Sequence, residues 1–506
     1  MPISAPLRPR FKDMIDLVVD AGACAECGNC VAACPHRVIE MRAGKPAKLA
    51  SAAGAHDHCG VSEGIGCDIC AAVCPRLWPR EPQLRDAVFD GSTAYEGIFG
   101  VYRHVFVART RDAGLQASGQ DGGVVTALLA WARREGLIDG AVVASVGEGD
   151  APCFPSPKIA STEHQIRASS GSWYTYCPNN LMLARLAKSG ISRAGFVGVP
   201  CQITALRKLQ TTDPSMLLTK TKQPQVVARQ RERLTGTGER VALSIGLFCT
   251  EVFRPELMTE RIARDMGIPL DQIERFNVKG EVLIHQRDGS VATIPLETAM
   301  HEFQRPECSH CGDFSAELAD IACGGIGTDR ATLVVLRSER SVQAWRAFEA
   351  AGEVDTWPIQ EHKKAWNILQ RLARRQRARV PRESPGATAP ARWAPDEPAS
   401  ATASAGDVAA PAYRPARQAQ AYLGQFRGCG RPLDEVDACI AAAYGPRPQP
   451  AAGSSSSPRA PIPGDPGDPE PGAKRVLPPP PPPESGGASP GHGVGQGEAL
   501  SLTPAA

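Results

Sequence analysis

Seventeen cysteines punctuate this 506-residue chain, and eight of them lie between Cys24 and Cys74. They form two runs. The first is Cys24-x2-Cys27-x2-Cys30-x3-Cys34-Pro35, and the second is Cys59-x7-Cys67-x2-Cys70-x3-Cys74-Pro75. Three thiolates two residues apart can wrap three corners of a 4Fe–4S cluster. The cysteine before proline then points away and ligates the other cluster. Crossed ligation follows: Cys24, Cys27, Cys30 and Cys74 hold one cluster, and Cys34, Cys59, Cys67 and Cys70 hold the other. Gly28 is expected to relieve crowding where the backbone nears inorganic sulfide. Two zinc knuckles are the competing reading of paired Cys-x2-Cys, but zinc does not need the paired Cys-x3-Cys-Pro ends. His56 and His58 flank the expanded gap and read as solvated loop histidines.

A second constellation is dispersed in sequence. Cys201 follows Val199-Pro200 at a strand-to-helix turn, Cys249 ends a strand, and Cys308-x2-Cys311 sits after a hairpin. Sites form where strand ends converge, so these four are read as ligands of a third 4Fe–4S cluster. Taken singly, Cys201 or Cys249 would be a buried core thiol. The run Gln120-Asp121-Gly122-Gly123-Val124-Val125-Thr126 is a glycine turn opening a helix, suited to a phosphate or a flavin edge. An ordinary tight turn explains the same residues. No residue stands out as a catalytic acid or base; Lys158, Tyr174 and Lys279 are polar candidates only.

The elements that must position these groups are legible in outline. The piece FKDMIDLVVDAG is amphipathic and reads as a short helix ending at Gly22. VYRHVFVART reads as a strand, VVTALLAWARREG as a helix, AVVASV as a buried strand. AGFVGVPCQITALRKL gives strand, turn and helix. VALSIGLFC is another buried strand, EVLIHQRDGSVATIPLE a hairpin around Asp288-Gly289, and EHKKAWNILQRLARRQRARV a helix with a basic end. The fold class is mixed α/β, with a small ferredoxin-like module before it. The chain holds 45 prolines, 20 before residue 381 and 25 from residue 381 onward, so composition changes there. The expected domains are 1–80 for the iron–sulfur module, 81–97 for a linker, 98–380 for the α/β domain and 381–506 for a disordered tail rich in Pro, Ala, Ser and Gly. That tail includes Pro478–Pro483, Cys429 and Cys439, and no chemistry is assigned to it.

Composition excludes several functions. Net charge is +2 and aromatics are 5%, which argues against a nucleic-acid binder. No apolar run approaches a membrane span, and the first residues lack a signal-peptide core. A cytoplasmic location is expected from clustered thiols without a secretion signal.

Six segments in order, QDGGVVTALLAWARREGLIDGAVV, SSGSWYTYCPN, GVPCQITALRKL, IGLFCTEVF, FNVKGE and CSHCGDFSAELADIACGGIGT, resemble the coenzyme F420 hydrogenase/dehydrogenase beta-subunit family. The resemblance covers about residues 98–380, with the ferredoxin module as a fused addition. Relatives with such a module include F420-dependent sulfite reductase, 7-hydroxymethyl chlorophyll a reductases and ferredoxin-type 8-vinyl reductases of divinyl chlorophyllide. The resemblance implies FAD and one 4Fe–4S cluster in the α/β domain. That cluster would take Cys201, Cys249, Cys308 and Cys311. The flavin would lie near Gln120, Asp121, Gly122, Gly123 and Thr126, near Ser172, Tyr174 and Thr175, and near Lys279. Trp173 stands where F420-using relatives usually have Lys, which puts F420 use in doubt. Cys177 and Cys323 read as tolerated small residues.

The expected function is an iron–sulfur flavoprotein oxidoreductase linking a hydride-type cofactor, F420 first, to one-electron carriers. One alternative is a ferredoxin-dependent reductase of another substrate, such as a chlorophyllide-type tetrapyrrole. The other is a non-catalytic relay subunit of a larger complex. The expected partners are ferredoxin or another redox subunit, and a hydride-type cofactor or small substrate. A homo-oligomer is compatible with the sequence.

Overall fold

The computed structural model describes residues 11–49, 67–77, 81–89, 95–212, 224–377 and 379. Cys59, His56, His58, Cys429, Cys439 and the Pro-rich tail lie outside the described residues.

Fifteen strands are described. The iron–sulfur module has one hairpin, β1 (Ile39–Arg42) and β2 (Lys45–Lys48). A second small hairpin follows, β3 (Tyr95–Gly97) and β4 (Gly100–Tyr102). Then come β5 (His104–Thr110), β6 (Gly140–Ser145), β7 (Ser156–Ala160), β8 (Ala194–Gly198) and β9 (Val241–Leu247). A three-stranded antiparallel sheet holds β10 (Ile273–Val278), β11 (Glu281–Gln286) and β12 (Val291–Pro295). The last strands are β13 (Ile321–Gly324), β14 (Thr332–Leu336) and β15 (Val354–Pro358).

Eight strands form one sheet in the order β15-β5-β14-β13-β9-β8-β6-β7. The middle four, β13, β9, β8 and β6, are parallel, and the flanking pairs are antiparallel. Side chains alternate between two cores, as a strand's two-residue period requires. Val142, Phe196, Leu333 and Val335 join Ile203, Leu206, Trp366 and Leu369 on one face. Val143, Val197, Val334 and Leu336 join Leu128, Trp131, Trp345 and Phe348 on the other. The helices Pro200–Thr211 and Lys363–Arg377 therefore cover one face; Val124–Arg134 and Glu339–Ala350 cover the other. A sheet buried on both faces explains why β8 and β14 are buried at every position.

Several local expectations hold, and two differ. The hairpin forms around Asp288-Gly289: Gly289 has φ +86°, and the Ser290 N–H donates to Asp288 Oδ1 at 2.9 Å. The strand expected over VYRHVFVART is split, because Gly100–Tyr102 turns back to pair with β3 while His104–Thr110 enters the large sheet. The stretch expected as a linker contains a helix, Glu81–Val88. Leu84 and Phe89 anchor it in the same core as Ile203 and Leu206. The N-terminal amphipathic piece is a helical turn, Phe11–Met14, continuing as a π-turn over Ile15–Val19. Among the described residues, no helix is long and apolar enough to cross a membrane.

Candidate functional site

The iron–sulfur module is built on two short helices, Asn29–Ala33 and Ile69–Ala72. Each starts after a left-handed residue, Gly28 at φ +79° and Asp68 at φ +41°. Cys30 and Cys70 lie within these helices, and Cys34 and Cys74 follow them. Cys24, Cys27, Cys30 and Cys74 together ring one hollow, lined also by Met14, Val18, Met41 and Pro46. Cys34 and Cys70 pack in the core of this module, whereas Cys67 reaches the core of the α/β domain. Cys59 lies outside the described residues. Burial pushes the Cys24 thiol up to about 11 and raises Cys27 and Cys30 well above the ordinary thiol value. At such burial the thiols lose their protons only where a metal supplies positive charge.

The second ring is assembled from distant segments. Cys201 opens the helix after β8, Cys249 lies two residues beyond β9, and Cys308 and Cys311 lie on and just after the tight turn Pro306–His310. The carboxyl ends of two adjacent parallel strands thus supply two of the four. The Cys249 N–H donates to the Phe314 carbonyl at 2.9 Å, and Cys311 N–H to the Cys308 carbonyl at 3.1 Å. The Val252 N–H donates to Cys308 Sγ at 3.4 Å. All four cysteines line one hollow together with Ala25, Arg76, Tyr176, Arg305 and Gln376. Burial, reinforced by Cys311, pushes Cys201 up to about 12, with Arg76 opposing. Burial and Cys308 likewise raise Cys249. Among the described residues, no three His, Cys, Asp or Glu side chains converge closely enough to hold a single metal ion. Each set of four thiols instead lines a hollow.

The two hollows are neighbours. Ala25 lines both. Tyr176 stands beside them too: its hydroxyl lies 3.9 Å from Cys201 Sγ, and its phenol feels Cys201 and Cys27. The Arg305 guanidinium caps the Tyr176 ring at 4.2 Å.

The glycine turn lies at the start of the helix Val124–Arg134. Gly122 and Gly123 have φ +94° and +64°, and a Cβ at Gly123 would lie 2.5 Å from the Leu115 carbonyl oxygen. Close packing against this chain therefore accounts for that glycine. Gln120 donates to the Tyr174 hydroxyl, and Lys279 pairs with Asp121 at 2.8 Å. Asp121 Oδ2 is buried and has no hydrogen-bond partner. Burial raises the Asp121 carboxyl, with Lys279 opposing. Burial also raises the Tyr174 phenol, which feels Asp121 and Cys249. Gln120, Asp121, Tyr174 and Lys279 are thus brought together beside the second ring. An orphaned buried oxygen there fits a bound polar group. Thr175 is committed elsewhere, donating to the Cys153 carbonyl at 3.0 Å. Thr126 lies one turn into the helix, and Ser172 is half-buried in the loop before Tyr174. Trp173 packs edge-on against Phe276, with ring centres 6.3 Å apart.

Sequence reading missed the groups that join the two halves. Asn29 donates to the Ala205 carbonyl at 2.9 Å and to the Val73 carbonyl at 3.0 Å. Lys208, fully buried, donates to the Cys74 and Leu77 carbonyls, each at 2.5 Å. Lys45 bridges Glu26 and Glu307 at 2.5 Å each, and Arg305 pairs with Glu26 at 2.6 Å. Gly28 also serves this joint: a Cβ there would lie 2.4 Å from Leu181 Cγ. The only signal in sequence was a lysine on the apolar stripe of the helix ITALRKL.

Family comparisons agree with this architecture. The description "Coenzyme F420 hydrogenase/dehydrogenase, beta subunit" matches residues 105–184 with its N-terminal part and 191–362 with its C-terminal part. A 4Fe–4S dicluster domain matches residues 23–77. The chain is 31% identical over 286 residues to coenzyme F420 hydrogenase subunit beta of Methanothermobacter thermautotrophicus, covering 56% of this chain and 94% of that protein. The subunit of the same name from Methanosarcina barkeri is 32% identical over 278 residues, covering 54% and 88%. Coenzyme F420-dependent sulfite reductase of Methanocaldococcus jannaschii is 29% identical over 351 residues, covering 68% and 49%. Among solved structures, a chain of the F420-reducing [NiFe] hydrogenase complex from Methanosarcina barkeri matches with a TM-score of 0.50 at 29% identity, covering 56% of this chain and 92% of that one. The chain therefore belongs to the coenzyme F420 hydrogenase/dehydrogenase beta-subunit family and is an oxidoreductase with a fused 4Fe–4S dicluster domain.

Proposed function

We propose that the protein passes electrons between a hydride-type cofactor, coenzyme F420 as first candidate, and one-electron carriers. The observation that carries this reading is the pair of four-cysteine hollows sharing one wall residue, Ala25. Cys24, Cys27, Cys30 and Cys74 would hold one 4Fe–4S cluster, and Cys34, Cys59, Cys67 and Cys70 a second. Cys201, Cys249, Cys308 and Cys311 would hold a third. The region of Gln120, Asp121, Tyr174 and Lys279, with Gly122, Gly123, Thr126, Ser172 and Thr175 around it, would hold FAD. A flavin supplies exchange between hydride and single electrons, and the clusters supply one-electron transfer.

The chain's own residues do the rest. Ala25 and Tyr176 keep water out of the wall between the hollows. Arg76 and Arg305 supply positive charge beside the four thiols of the second ring. Lys279 balances the Asp121 carboxylate next to the proposed flavin region. The domains are read as 1–80, a connection 81–97, a catalytic domain 98–380 and a tail 381–506. The relatives include subunits of a hydrogenase complex, so a partner redox subunit or a ferredoxin is the expected electron partner. The cytoplasm is the expected compartment, consistent with the free cysteines. A tetrapyrrole substrate would need the aromatic face of Trp173, and that ring packs edge-on against Phe276.

Anaerobic purification with metal and flavin analysis tests the reading. About twelve irons per chain and one flavin are expected from three four-iron clusters. A colourless zinc protein would overturn it, and iron without flavin would leave a relay subunit. Adding reduced F420 should then bleach the flavin absorbance. Bleaching by reduced ferredoxin but not by F420 would transfer the function to a ferredoxin-dependent reductase.

A further inference from the structure

Arg76 belongs to the iron–sulfur module, two residues after Cys74, yet its side chain ends in the other domain. Its guanidinium donates to the His310 carbonyl at 2.5 Å and the Glu307 carbonyl at 3.2 Å. Those carbonyls lie on the turn that carries Cys308. Arg76 lines the hollow ringed by Cys201, Cys249, Cys308 and Cys311, and it is only 7% exposed. Its Nε atom is buried and has no hydrogen-bond partner. Among the described residues, no carboxylate stands within ion-pair distance of it. A buried guanidinium with no carboxylate is costly unless other negative charge faces it. The facing groups are thiols. Arg76 thus brings positive charge to the second ring from the other domain, beside Arg305 of the α/β domain itself.

We propose that Arg76 is a positioning residue that sets the reduction potential of the cluster held by Cys201, Cys249, Cys308 and Cys311, so that this potential depends on the docked iron–sulfur module. The proposal rests on the three-cluster reading above. Reduction adds one electron to the ring; no bond forms or breaks, and the guanidinium stays protonated. A fixed cation stabilises the more negative, reduced state, so removing it lowers the potential. The module then does more than hold two clusters: its docking tunes the third.

The test is a redox titration followed by electron paramagnetic resonance on the full-length, iron-loaded protein. Wild type, Arg76→Gln, Arg76→Lys and Arg193→Gln are compared, the last being an exposed control. Iron content reads the cluster assignment, and the potentials read the inference. A wild-type protein without a third cluster would overturn the three-cluster reading and the proposal with it. With three clusters present, R76Q is expected to favour oxidation of one cluster at least about tenfold, a shift of about 59 mV to more negative potential for a one-electron couple. R76K and R193Q should stay within that interval, and the other two clusters should move less. Three unmoved potentials in R76Q, or an equal shift of all three, would overturn the role. If R76Q does not carry the third cluster, R76K decides: restored iron supports the need for the charge, and continued loss refutes it.

Discussion

Lys208→Met should loosen the iron–sulfur module without touching a cysteine. Lys208 lies on the helix that Cys201 opens, is fully buried, and donates at 2.5 Å to each of the Cys74 and Leu77 carbonyls. Methionine fills nearly the same volume but donates nothing. The Cys74 carbonyl keeps the Leu77 N–H and loses only a charge-assisted bond, about 1.5–3 kcal/mol, while the Leu77 carbonyl loses its donor, about 1–3 kcal/mol, which together come to about 2.5–6 kcal/mol. Removing the buried ammonium recovers part of its desolvation, which brings the net loss to about 2–4 kcal/mol. At about 1.4 kcal/mol per tenfold, the open population near Cys74 rises about 30- to 1,000-fold. Amide hydrogen exchange on the iron-loaded protein reads this directly. The Cys74 and Leu77 amides, bonded to the Ala71 and Cys74 carbonyls at 3.2 Å each, are the reporters. Exposed Lys188→Met is the control and should change nothing. Protection within about threefold of wild type in K208M would refute the anchoring argument, since no reasonable offset cancels both carbonyls.

Three further outcomes are expected. Gly28→Ala forces a side chain into φ +79° and within 2.4 Å of Leu181, at about 1–3 kcal/mol; iron per chain should fall, and unchanged iron with unchanged melting would contradict the docking role. Cys249→Ser should remove about four irons per chain while leaving the dicluster spectrum in place, and full iron retention would remove Cys249 from the ligand set. Asp320 is 1% exposed and lies 3.1 Å from Arg207. Burial pushes its carboxyl up, but Arg207 and Arg340 prevail and hold it below 3.8. A depressed carboxyl contributes stability above its unfolded value, and that contribution is lost as pH falls through the folded one. Asp320→Asn should therefore cost about 3–5 kcal/mol at pH 7, and the gap between its urea midpoint and that of wild type should narrow progressively as pH falls below 3.8. A gap that stays constant with pH would sink this account.

How much of the site was legible in sequence differs between its parts. Local spacing was enough for Cys24, Cys27 and Cys30, because a loop of two-residue gaps leaves the thiols little freedom. The repeated Cys-Pro ends then pointed to Cys74 as the fourth member, and these four do surround one hollow. For the dispersed set, strand-to-helix signals marked Cys201 and Cys249 as residues at strand ends. The sheet order that makes β8 and β9 neighbours cannot be read from either segment alone. The glycine turn was visible too, but the close approach of its glycines to Leu115 and Ala331 was not.

By itself, then, the sequence determined the thiol chemistry, the α/β class and the order of modules, since spacing and periodicity are local properties of a chain. Tertiary structure alone decided how the modules meet. Arg76, Lys208, Asn29, Glu26, Lys45, Arg305 and Glu307 are ordinary polar residues until folding brings them together across more than a hundred positions. There they satisfy carbonyls and charges that burial strips of water, and a contact of that kind leaves no periodic trace in sequence.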